Sequence, residues 1–195
     1  MKYGVPAGPE IKGGTVLFTG LPSAGKSTLA LATRALLTEN RHAAEVLDGD
    51  DVRSRFWPEL GLSRADRAQN LDRIGGIATL LAGHGVIVLV AAIAPFADDR
   101  ERMRARHLGV GLELLEVHLA TPPDVCRFRD VKGLYARHDR GELTGLTGVD
   151  AGYETPRRPH LRLDTSAETV AESARRVVAL LAAHELVAAQ PVPER

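Results

Sequence analysis

Apolar residues in this chain cluster in short, nearly continuous runs, and longer stretches of helical spacing separate them. Four runs read as strands, Val16 to Thr19, Ala43 to Leu47, Val86 to Ala92 and Leu112 to Ala120, with a shorter one near Leu161 to Leu163. Val86 to Ala92 is apolar at every position, as expected of a parallel strand covered on both faces. Between the runs, Leu29, Ala32, Leu36 and Leu37 mark a helix from Lys26 to about Glu39. Ser63, followed by Asp66, has the form of a capping box opening a helix to about Gly83. Pro122 starts another helix at a favourable first-turn position, and Val170, Ala174, Val177, Val178 and Leu181 give a last one from about Ala167 to His184. Strands alternating with helices predict an α/β fold with a parallel sheet and helices on both faces.

Three segments break the alternation. Residues 1–14 are rich in Gly and Pro and are expected to lie loosely on the surface, and residues 187–195 are expected to be a disordered tail. Asp130 to Pro159 is long, polar and punctuated by glycine, and it carries Lys132, Arg137, Arg140, Arg157 and Arg158. A loop of that length in a compact domain predicts a mobile lid over residues 130–159, able to close on a ligand and exclude water. The whole of 1–195 reads as one domain.

Charge and composition narrow the class of partner. Lys plus Arg and Asp plus Glu each number 25, so no bulk field draws in nucleic acid or an acidic membrane. An anionic ligand must be held by local basic groups. Cys126 is the single cysteine, which rules out an internal disulfide, suits a reducing cytoplasm and reads as a small core residue. The longest apolar run, Val86 to Ala94, has nine residues, against about 20 for a membrane-spanning helix. The N-terminus lacks the apolar stretch of a signal peptide. The seven histidines show no ligand spacing, which argues against a structural metal.

The candidate chemistry sits at two turns. The first strand runs into Gly20-Leu21-Pro22-Ser23-Ala24-Gly25-Lys26-Ser27-Thr28, a P-loop of the form G-x-x-x-x-G-K-S. Its backbone N–H groups and the following helix N-terminus cradle phosphates, Lys26 reaches the β- and γ-phosphates of a nucleoside triphosphate, and Ser27 offers its hydroxyl to Mg²⁺. Twenty-two residues after Lys26 comes Asp48-Gly49-Asp50-Asp51-Val52-Arg53. Strand three ends without a carboxylate, so the acidic work falls to this pair. Asp50 is assigned to orient and deprotonate an acceptor hydroxyl, and Asp48 to support Mg²⁺; the alternative is that Asp48 only caps the following turn. Arg53, with Arg67 and Asn70 three apart on one helix face, suggests a receptor for an anionic acceptor. The set reads as a small-molecule kinase.

Beyond the P-loop, Leu47 to Arg53, Leu-Gly-Leu-Ser-Arg-Ala-Asp-Arg-Ala-Gln-Asn (60–70) and Ile-Ala-Pro-Phe (93–96) resemble the adenylyl-sulfate kinase family. So do Arg-Asp-Val-Lys-Gly-Leu-Tyr (129–135) and Gly-Glu-Leu-Thr-Gly-Leu-Thr-Gly-Val-Asp (141–150), and the likeness spans about residues 13 to 182. The resemblance implies a P-loop NTPase-type fold of three layers around a five-stranded parallel sheet, and commonly a homodimer. It implies transfer of the γ-phosphoryl of ATP to the 3′-hydroxyl of adenosine 5′-phosphosulfate. Acceptor contacts are then implied for Asp50, Arg53, Arg67, Asn70, the backbone of Ile93, Ala94 and Pro95, and Lys132. Four departures accompany it. Ala94 stands where many members carry a serine associated with a phosphorylated intermediate, so transfer here is direct. Leu62 and Leu146 replace two phenylalanines that clamp the acceptor's adenine, which forgoes stacking of ~1–3 kcal/mol per base. Asp51 and Asp139 add negative charge near an anionic ligand. The alternative is a related P-loop kinase acting on a hydroxyl of another anionic nucleotide-like metabolite.

Overall fold

The computed structural model describes residues 13–188. Five strands form one parallel sheet: β1 (Gly14–Gly20), β2 (Ala44–Asp48), β3 (Ile87–Ala91), β4 (Glu113–Leu119) and β5 (Leu161–Leu163), in the order β2-β3-β1-β4-β5. Central β1 is buried at every residue. The helices are α1 (Lys26–Glu39), α2 (Gly49–Phe56), α3 (Arg64–Ala82), α4 (Ala97–Leu108), α5 (Pro123–Arg129), α6 (Leu134–Asp139) and α7 (Val170–Ala183).

Side-chain alternation along the strands feeds two cores, one on each face. Val16, Phe18, Leu89 and Val117 pack with Leu29 and Leu37 of α1 and Val177 and Leu181 of α7. Leu17, Val88 and Val90 pack the other way, against Val52 of α2, Leu71 and Ile74 of α3 and Met103 of α4. This is the three-layer P-loop NTPase-type architecture. After β1 the chain crosses to the β2 side, and after β3 it crosses back over β1 to β4. At that reversal the strand ends leave a crevice at their carboxyl edge, the usual ligand position in such sheets.

Several boundaries move. Gly13 and Gly14 are buried, and a Cβ on Gly13 would stand 2.0 Å from the carbonyl oxygen of Ala82, so neither lies loosely on the surface. Val187 is buried in the α1/α7 core and is not part of a disordered tail; residues 1–12 and 189–195, where the rest of both expectations falls, lie outside the described residues. Pro122 is the N-cap of α5, with Pro123 inside the first turn. The 130–159 segment is not a structureless loop. It contains α6, buries Tyr135, Leu146 and Thr147, and folds Asp130 back so that its carboxylate accepts from the amides of Tyr135 and Ala136. Cys126 is a fully buried core residue, and burial pushes its thiol pKa up. Among the described residues no helix is long and apolar enough to cross a membrane.

Candidate active site

The carboxyl ends of β1, β2 and β3 open on a cavity of about 500 Å³. The P-loop forms one wall. Gly25 is the N-cap of α1 at φ 98°, a left-handed conformation that a side chain would strain. Lys26 folds over its own loop, its ammonium donating to the carbonyls of Gly20 (3.0 Å) and Leu21 (2.7 Å). The residue is only partly buried, but its ammonium is enclosed by the loop; this lost hydration pulls its pKa down to about 8 despite the nearby Asp50 and Asp48 carboxylates. Pro22, Ser23, Ser27 and Thr28 line the cavity with Lys26. Gly20, Leu21 and Ala24 stand behind that surface, where Ala24 is fully buried and Leu21 packs beneath Gly148.

Asp48 closes β2 and opens α2 in the same residue. One carboxylate oxygen accepts from the amide of Asp50 at 3.0 Å, capping the helix, and the other accepts from the Ser27 hydroxyl. The capping reading of Asp48 therefore holds, and the same carboxylate also meets the Ser27 hydroxyl. Because α2 starts at once, Asp50 lies in its first turn and lines the same cavity. Its carboxylate takes Arg53 on one oxygen (3.1 Å) and Lys132 on the other (2.6 Å). Burial raises its pKa, but the Lys132 hydrogen bond and the charges of Lys132, Arg53 and Lys26 outweigh that and hold it below the usual carboxylate value.

The opposite wall carries the residues expected to contact an acceptor. Arg67 donates from Nε to the Leu62 carbonyl (2.8 Å), from Nη1 to the Thr147 hydroxyl (2.6 Å) and from Nη2 to the Gly145 carbonyl (2.7 Å). It thus ties the flanks of Leu62 and Leu146 together, and two of its five N–H groups remain for a ligand. Asn70 accepts from Trp57 Nε1 (2.6 Å) and donates to the Gly49 carbonyl (3.1 Å), locking α2 against α3. Leu62 is about half exposed (47%) and Leu146 is buried (4%), so the apolar slot has one fixed wall and one open wall. Ile93, Ala94 and Pro95 close the end.

Two of the departures lose their weight here. The Asp139 carboxylate is held by Arg127 at 2.6 and 2.9 Å, and neither Asp139 nor exposed Asp51 lines the cavity. Of the basic residues expected along 130–159, only Lys132 reaches the cavity. Sequence reasoning passed over Arg129 and Thr165, which line the cavity beside the P-loop. Arg129 donates to the Thr165 hydroxyl (2.7 Å) and carbonyl (2.8 Å), and that hydroxyl donates to the Ala24 carbonyl (3.0 Å). Arg129 heads the Arg-Asp-Val-Lys-Gly-Leu-Tyr motif and was legible there; nothing along the chain marks Thr165.

Comparison with known proteins follows the same outline. The family model described as Adenylylsulphate kinase matches residues 12–164. The adenylyl-sulfate kinase of Lactiplantibacillus plantarum is 45% identical over 170 residues, covering 87% of this chain and 81% of the relative. The solved structure of the Mycobacterium tuberculosis APS kinase CysC in complex with AMPPNP and APS superposes with a TM-score of 0.85 at 45% identity, covering 87% of this chain and 98% of that one. The hexameric APS kinase from Thiobacillus denitrificans is 32% identical with a TM-score of 0.68, and the match covers 92% of this chain and 30% of that one.

Proposed function

The chain belongs to the adenylylsulphate kinase family, and on that premise we propose how its own residues carry the γ-phosphoryl group of ATP to the 3′-hydroxyl of adenosine 5′-phosphosulfate. The observation that carries the assignment of roles is Asp50, held between Arg53 and Lys132 and facing the same cavity as Lys26 and the Ser27–Asp48 pair. The triphosphate lies along the P-loop, and Lys26 leaves the Gly20 and Leu21 carbonyls for its phosphate oxygens. The acceptor enters between Leu62 and Leu146 with its anionic end toward Arg53, Arg67 and Lys132. Its 3′-hydroxyl donates to Asp50. The 3′-oxygen bonds to the γ-phosphorus as the bond to the β-phosphate oxygen breaks, ADP leaves with that electron pair, and the proton passes to Asp50 and on to solvent.

A carboxylate with a lowered pKa is a weak base, which suits this step. In a loose phosphoryl transfer the hydroxyl proton leaves late, and the protein contributes chiefly orientation and charge neutralisation. Ala94 has no hydroxyl to phosphorylate, so transfer is direct.

Ser27 and Asp48 fit Mg²⁺: one hydroxyl and one carboxylate already meet at the cavity wall, and this ion keeps several waters and takes few protein ligands. When bound, it neutralises charge on the β- and γ-phosphates. Residues 130–159, with Lys132, act as the lid that excludes water, which would otherwise accept the phosphoryl group. The hexameric relative and the resemblance to commonly dimeric kinases support a homo-oligomer, here a dimer. A lone buried thiol supports a cytoplasmic setting. The test is turnover with the 3′-deoxy analogue of the acceptor: it binds competitively and yields no phosphorylated product, whereas product from it contradicts the assigned acceptor position.

A further inference from the structure

Arg100 on α4 takes no part in the chemistry above, yet it is one of the few charged residues the fold buries, at 4% exposure. Its guanidinium reaches three separate parts of the chain. Nη1 donates to the Ala94 carbonyl (2.8 Å), Nη2 to the Glu154 carbonyl (2.9 Å), and Nε pairs with Glu116 of β4 (2.7 Å), which also takes Arg104 (2.9 Å). A buried ion pair is costly to desolvate and is weak evidence for stability, so one that spends two of its donors on loop carbonyls suggests another use.

The loop it grips is the acceptor end of the cavity, and Ala94 in that loop sits at φ 44°, a left-handed conformation that glycine takes freely and alanine does not. The second carbonyl belongs to the foot of the lid segment. That foot is stitched to the loop at other points. The amide of Glu154 donates to the Pro95 carbonyl (2.8 Å), the Glu154 carboxylate accepts from the amide of Ala97 (2.7 Å), and Thr19 donates to the Ile93 carbonyl (2.6 Å) while meeting the Tyr153 hydroxyl (3.0 Å).

We propose that Arg100 is a positioning residue for the acceptor: by holding the Ala94 and Glu154 carbonyls on one guanidinium, it fixes the acceptor loop in its strained shape and joins it to the foot of the lid. The loop and residues 153–154 then form one rigid block on β4, and lid motion is confined to the segment before them. This rests on the acceptor assignment above, so its test carries one readout that does not depend on turnover.

The variants are Arg100→Lys, which keeps a cation beside Glu116 but cannot bridge both carbonyls, and the same change combined with Ala94→Gly. Hydrogen exchange of the free protein reads the block directly: Arg100→Lys speeds exchange at the amides of Ala97 and Glu154 and leaves P-loop amides unchanged. Steady-state kinetics read the consequence: the acceptor KM rises about tenfold, the size of one lost charged hydrogen bond, while ATP affinity stays within about twofold. Adding Ala94→Gly recovers part of the acceptor KM, since glycine adopts the left-handed shape unaided. Unchanged exchange at Ala97 and Glu154 overturns the proposal, as does an equal loss of ATP and acceptor binding or an acceptor KM that Ala94→Gly does not improve. If the wild-type protein turned over no adenosine 5′-phosphosulfate, the acceptor assignment would fall, and the exchange result would still decide whether Arg100 makes the block.

Discussion

Nucleotide affinity should depend on pH through Lys26. In the free protein, enclosure of the ammonium holds its pKa near 8, against 10.5 for an unhindered lysine. Triphosphate oxygens in its place among the loop carbonyls favour the charged form and raise that pKa. Below about 8 the lysine is charged before and after binding, so affinity is flat. Above it, the protein must take up a proton to bind, and each further unit of pH weakens binding about tenfold, or ~1.4 kcal/mol. The linkage for folding has the matching sign: the penalty for the buried charge is present below about 8, and the free protein gains stability as pH rises from there toward 10.5. Calorimetric titration of a non-hydrolysable ATP analogue with Mg²⁺ between about pH 7 and pH 9 tests this. Run in two buffers of different ionisation heat, it should show near-zero proton uptake at the low end and uptake approaching one proton at the high end. Lys26→Arg, charged throughout, should bind more weakly but with a flat profile. Equal affinity across the range without proton uptake would refute the reasoning.

Other expectations follow from the same geometry. Asp50→Asn should lower kcat about 10²- to 10⁴-fold, the usual loss of a positioned acid–base group, with ATP binding by calorimetry nearly unchanged; a kcat within a few-fold of wild type would remove Asp50 from its role. Leu62→Phe has room at the half-exposed wall of the slot and should tighten the acceptor KM about tenfold through base stacking, whereas Leu146→Phe overpacks a buried site and should cost ~1–3 kcal/mol of stability by denaturant titration. Arg67→Lys can keep only one of the three bonds that join the walls of the slot, so the acceptor KM should rise about 10- to 100-fold while the KM for ATP stays put.

The elements that bury apolar faces were legible along the chain, since continuous runs such as Val86 to Ala92 and the spacing of Leu29, Leu36 and Leu37 leave few alternatives. Helices that bury charge were not. Helix α4 reads Ala-Asp-Asp-Arg-Glu-Arg-Met-Arg-Ala-Arg-His-Leu and offers the core little beyond Met103 and His107. Its place is fixed by Arg64 and Arg102 on Asp99 and by Arg100 on Glu116, pairings that hydropathy scores as solvent. Helix α2 was hidden for a different reason: its first turn is the Asp-Gly-Asp-Asp stretch, whose turn-like composition masks the fact that Asp48 caps a helix. Motif residues that share the cavity stood out along the chain because a phosphate-binding turn fixes their spacing. Thr165 was missed because its role comes from β5 lying beside the P-loop in space, and Arg100 because it touches the site only through two carbonyls.

The most direct measurement of the central claim is the product itself. Purified protein with ATP, Mg²⁺ and adenosine 5′-phosphosulfate should yield ADP and 3′-phosphoadenosine 5′-phosphosulfate in equal amounts, resolved by chromatography and identified by mass and by phosphorus resonance at the 3′ position. ATP binding without that product, or ADP formed without a phosphorylated acceptor, would contradict the account and turn attention to other anionic nucleotides as the group that fills the leucine slot.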